Sequence, residues 1–182
     1  MSTSQRQPRV RVAALVAAVS IVAGLAMLLS SLNAGAANAA ARARPATAAC
    51  QPGSMVTWLN TQGNGAAGTI FYTLNFTNLS SSACTLRGYP GVSAVSLSGH
   101  QIGSAGGRLS VKPVRTITVR SGDTAHANLG IVEAGNFSGC SQMTAAGVRV
   151  FAPNQARSQT DPFPFQACSN RGPVILKVSA VY

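Results

Sequence analysis

The sequence predicts an all-β fold: an antiparallel, immunoglobulin-like β-sandwich of about seven to nine short strands, preceded by an N-terminal apolar signal helix. Three observations carry this. Apolar and polar residues alternate along most of the chain beyond residue 50, and amphipathic helical periodicity is nearly absent. Clusters of Gly, Ser, Asn and Pro punctuate the alternation at short intervals. Four cysteines, all beyond the N-terminal apolar run, make an even set suited to two disulfides in an oxidising compartment.

The chain opens with Arg6, Arg9 and Arg11 ahead of an apolar run over 12–32 and a small-residue stretch, NAGAANAAARA. That order is the n-region, h-region and cleavage region of a secretory signal peptide. The reading is a signal over 1–39, with A-x-A sites ending at Ala36, Ala39 and Ala41 that put cleavage near 36–41. A retained anchor is the alternative, because the run matches the ~20 residues that cross a bilayer. Residues 40–49, rich in Ala and carrying Pro45 and two arginines, read as a linker, and 50–182 as one domain large enough for its own core.

The clearest strand is 70–77, where Ile70, Tyr72, Leu74 and Phe76 alternate with Phe71, Thr73, Asn75 and Thr77. Weaker alternation predicts strands over 55–59, 92–97, 114–119, 124–132, 147–151 and 174–181. Between them, QGNGAAG, NLSSSA, RGYPG, SGH, GSAGG and RSGD read as turns, and the proline-interrupted stretch 153–164 as a loop. An antiparallel pair of 55–59 with 70–77 brings Cys50 toward Cys84. A hairpin of 147–151 with 163–167 returns the chain from Cys140 to Cys168. The expected bridges are therefore Cys50 with Cys84 and Cys140 with Cys168, each worth on the order of 3 to 4 kcal/mol by loop entropy. Free thiols and metal binding are the alternatives, though no CxxC spacing favours either. Trp58 follows Cys50 too closely for the Cys-Trp-Cys order of antibody domains, so the likeness is architectural only.

A chain starting near Ala40 keeps eleven Lys and Arg residues against Asp123, Glu133 and Asp161, a net charge of +8. Such a domain is drawn to anionic surfaces, an envelope component or a secreted acidic protein among them, and the same charge also serves solubility. The nine basic residues of the domain are scattered in sequence, with only Lys112, Arg115 and Arg120 close together. No helix-turn-helix, zinc-finger or RNP-type pattern accompanies them, so nucleic acid is not an expected partner. Membrane contact is expected only through the signal segment, if that is uncleaved.

The segment LNFTNLSSSACTLRGYPGVSAVSL, 74–97, resembles the signature of an exported actinobacterial family described as domain of unknown function 4232. Asn78, Cys84, Thr85, Leu86, Gly88, Tyr89, Pro90, Gly91 and Val92 match its pattern without a gap. SGDTAHANL resembles the family's Gly-x-x-Ala element, with Arg120, Ser121 and Gly122 where many relatives carry Pro-Gly, and Cys140 and Cys168 fall where later cysteines are expected. The resemblance covers essentially all of 50–182. It implies an extracytoplasmic β-sandwich and brings no catalytic residues.

Few residues are available for chemistry. His100 falls in a turn. His126 shares a strand face with Thr124 and Asn128, opposite Ala125, Ala127 and Leu129, and the apolar set is the one expected to face the core. Asp-x-x-His places Asp123 and His126 on opposite faces, so with Glu133 they make a poor metal or acid-base set. No catalytic residue, metal or cofactor is expected. Arg87 and Tyr89 form the most distinctive group, a charge and a ring that either meet a ligand or shape a Tyr-Pro-Gly turn. The function expected is a secreted or envelope-associated, non-catalytic binding module. The alternatives are a small-molecule carrier, against which no aromatic-rich cleft is visible in the sequence, and a secreted enzyme.

Overall fold

A computed structural model describes residues 46–182, so the signal segment, its cleavage sites and most of the linker lie outside the described residues. Eleven strands follow in chain order: β1 Met55–Ala66, β2 Thr69–Asn78, β3 Cys84–Arg87, β4 Gly91–Val95, β5 Gln101–Ile102, β6 Gly107–Arg108, β7 Thr116–Val119, β8 Thr124–Val132, β9 Gln142–Phe151, β10 Ser158–Cys168 and β11 Leu176–Val178. The helical structure among the described residues is one 3-10 turn, Ala134–Asn136. The fold is all-β, with more strands than the seven to nine expected; β1, β2, β9 and β10 are not short.

Three sheets result, ordered β1-β2-β8-β11-β6, β10-β9-β4-β5 and β3-β7. Strict alternation sends Leu74 and Phe76 of β2 and Ala127 and Leu129 of β8 inward. There they join Val92 and Ala94 of β4 and Val148 and Val150 of β9 in one buried cluster, a sandwich-like core. All pairings between the named strands are antiparallel except β6 with β11, which is parallel. That exception arises because β6 is a two-residue fragment laid beside β11 by a long connection rather than by a hairpin.

Two turn assignments are corrected. QGNGAAG does not end β1; the strand shifts register between Asn60 and Asn64 and runs on to Ala66. The reversal is made by Ala67 and Gly68 at φ 46° and 75°, the two positive values that a two-residue hairpin turn requires. The stretch 153–164 is not all loop, for β10 begins at Ser158 and carries Pro162 and Pro164. Both prolines are tolerated because β10 is the outermost strand of its sheet and its register shifts between Pro162 and Phe165. As a result 147–151 pairs with 158–162, while Phe165–Cys168 faces Gln142–Ala145.

Disulfides join Cys50 to Cys84 and Cys140 to Cys168, closing the open ends of the β1–β2 and β9–β10 hairpins. Backbone pairing begins just before Cys50, where Ala49 bridges Thr85 in parallel. A side chain ties the two large sheets together at one edge. Gln159 of β10 donates Nε2–H to Met55 O (2.7 Å) and accepts the Thr57 N–H (3.1 Å), replacing a neighbouring strand along the free edge of β1.

Candidate functional site

Arg87 ends β3, where Thr116 of β7 holds its backbone. Gly88 follows at φ 108°, a conformation open to glycine, and its carbonyl accepts the Val181 N–H at 2.9 Å. Asn154, itself at φ 60°, donates Nδ2–H to Arg87 O at 3.2 Å. Tyr89 and buried Pro90 then lead into β4. The turn is thus tied down on two sides.

Arg108 reaches the same place from β6, 21 positions along the chain, because β6 lies beside β11 with Arg108 opposite Val178. Its guanidinium carbon stands 5.0 Å from the centre of the Tyr89 ring, a cation–π contact. Arg87, Gly88, Tyr89, Arg108, Val114 and Asn154 line a cleft of ≈ 340 Å³ in which no acidic side chain takes part. Two exposed guanidiniums, one braced by a ring, offer forked N–H donors to a phosphate or carboxylate. The Tyr89 ring thus supports the charge of Arg108 beside the turn. Arg108 was not singled out in the sequence, since the β6–β11 pairing that delivers it leaves no local signal.

The other residues considered fall elsewhere. His100 and Asp123 are exposed, and Glu133 is exposed beside the 3-10 turn. His126 lies on the outer face of β8, as the alternation predicts. Its Nδ1 is 2.8 Å from Asn75 Oδ1. Because the Asn75 Nδ2 already donates to Trp58 O and Thr73 O, its Oδ1 accepts the bond that His126 Nδ1 donates. Among the described residues no three His, Cys, Asp or Glu side chains converge as metal ligands would.

A second concavity is aromatic, although no aromatic-rich cleft is visible in the sequence. Tyr72 of β2 meets Phe163 of β10 edge-to-face at 4.9 Å, and Phe165 stacks 6.4 Å from Phe163. With Ile70 and Ile131 they line a cleft of ≈ 430 Å³ rimmed by Glu133 and Gln166. Its residues lie on strands that alternation indicates, 70–77 and 163–167, but their meeting across the two sheets leaves no local signal. Buried Asp161, two residues before Phe163, has an unpartnered Oδ2, and its desolvation by burial holds its pKa above the usual 3.8.

The model of a family described as Domain of unknown function (DUF4232) matches residues 50–181. No curated protein and no solved structure matches the chain.

Proposed function

We propose that this chain, which belongs to the DUF4232 family, is a secreted or envelope-associated binding module without catalytic activity, built on an immunoglobulin-like sandwich and delivered by a cleaved N-terminal signal. Two disulfides suit an oxidising compartment outside the cytoplasm. One observation carries the binding site: Arg87 and Arg108, distant in sequence, open into one cleft with Tyr89 bracing the second. Two like charges side by side repel, and an arrangement of this kind gains most when an anion sits between them. The ligand is an anionic group, a phosphate or carboxylate of an envelope polymer or a secreted acidic protein, and the net positive charge steers it in.

The test is co-sedimentation of the oxidised domain, 40–182, with purified cell envelope at low and at high salt. Retention is expected to survive salt in part and to fall about tenfold in the Arg87→Ala, Arg108→Ala double variant. Retention abolished by salt and indifferent to the double variant reduces the charge to nonspecific attraction. The aromatic cleft supports a second reading, a carrier of small apolar molecules, because Tyr72, Phe163 and Phe165 surround a space of ligand size. A compound co-purifying with the protein and displaced in Phe163→Ala favours it.

A further inference from the structure

The outer face of the large sheet is organised differently from a solvated surface. Trp58 of β1 pairs with Asn75 of β2, Asn75 with His126 of β8, and His126 exchanges backbone hydrogen bonds with Tyr182 at 2.9 and 3.0 Å. The four side chains therefore stand in one row across four extended segments, roughly 14 Å long at about 4.8 Å per strand. Both terminal rings are exposed, Trp58 by 46% and Tyr182 by 38%. Each is pinned by its polar edge: Trp58 donates Nε1–H to Thr77 Oγ1 at 3.2 Å, and Tyr182 donates its hydroxyl to Asn128 Oδ1 at 2.7 Å.

Between the rings lie hydrogen-bonding groups held in fixed orientation. Asn75 is 3% exposed although it is on the outer face; its Nδ2 donates to Trp58 O and Thr73 O while its Oδ1 meets His126 Nδ1. Thr77 and Thr124 share a hydroxyl hydrogen bond at 2.8 Å alongside. Charge completes the pattern at the far end, where the Lys112 ammonium sits 4.3 Å above the Tyr182 ring. Exposed Lys177 projects from β11, between inward-facing Leu176 and Val178. None of the three acids lies in this row.

An open indole, then an ordered imidazole and hydroxyls, then a lysine ammonium is the complement of an acidic oligosaccharide. The apolar C–H face of one sugar ring stacks on Trp58, neighbouring hydroxyls meet His126 Nε2 and the threonines, and a carboxylate or phosphate of the next unit reaches Lys112. We propose that this row is a binding surface for an acidic glycan chain. It shares no residue with the lining of the Arg87–Arg108 cleft, and the proposal does not depend on that cleft.

Trp58 is the chain's single tryptophan, which makes its fluorescence a reporter of this row alone. The oxidised domain, 40–182, is titrated with hyaluronan tetrasaccharide as the acidic probe and tetra-N-acetylchitotetraose as the neutral one. A saturable spectral change with the acidic probe is expected, with affinity about fivefold weaker in Lys112→Gln and unchanged in the Arg87→Ala, Arg108→Ala variant. Calorimetry on Trp58→Ala, with circular dichroism to verify its fold, is expected to show no binding. The proposal is overturned by the absence of a saturable change with the acidic probe, by equal affinity for the neutral probe, or by binding that Trp58→Ala and Lys112→Gln both leave intact. Loss of binding in the double arginine variant with these two unaffected assigns the glycan to the cleft instead.

Discussion

The β2–β8 ladder has two faces made from the same eighteen or so neighbouring positions, and they are held by different physics. On the inner face Leu74, Phe76, Ala127 and Leu129 are sealed from solvent within one apolar cluster, so the burial of hydrocarbon accounts for them. On the outer face Asn75, Thr77, Thr124 and His126 are ordered by directed hydrogen bonds that run from strand to strand. A face that only meets water needs no such order. The contrast teaches that alternation, which looks like one in-out rule, specifies a core on one side and a prearranged polar surface on the other.

Breaking the inner face has the largest effect. Phe76→Ala is expected to cost about 3 to 5 kcal/mol in urea denaturation, from lost transfer energy and the cavity left behind. A cost under about 1 kcal/mol would mean the sheets do not pack as described. The outer face is sharpened by Asn75→Leu, expected to cost about 2 kcal/mol because the Trp58 and Thr73 carbonyls and the His126 N–H lose a partner together. An ordinary solvated position would change by no more than about 0.5 kcal/mol, and that outcome would remove the distinction between the faces.

The smallest effect lies at a polar exception on an inward-facing side of the other sheet, Asp161. Burial raises its pKa, so in the native state it keeps a proton that the unfolded chain has lost. Stability is therefore undiminished below the ordinary value of 3.8 and falls as pH rises from there through the raised value. Asp161→Asn is expected to be modestly more stable than the parent at pH 7 and to flatten that slope. Thermal melts across pH 3 to 7 check this, and identical pH profiles would show that Asp161 ionises freely.

Much of the inner face was legible in sequence because its signal is local. The alternation over 70–77 and 124–132 gives β2 almost to its ends and β8 to the residue, and hairpin geometry places Cys50 beside Cys84 and Cys140 beside Cys168. Where local chemistry pointed the other way, the reading failed. Gln62 and Gly63 carry turn chemistry, yet they fall inside the register shift of β1 and pairing with β2 resumes at Asn64 opposite Phe71. Pro162 and Pro164 argue against a strand in general but not against an outermost one. The two proposed surfaces were the least legible, since Arg87 with Arg108, and Trp58 and Tyr182 in one row, come together only through strand order. His126 was placed on the correct face, but nothing local revealed that Asn75 fixes its tautomer.

Pro162 and Pro164 leave the rim of the β10 sheet with no donor at either position, and Gln159 occupies the matching rim of β1 at Met55 and Thr57. At these positions a second copy finds fewer free ladder groups to pair with, which blunts the two rims against edge-to-edge association.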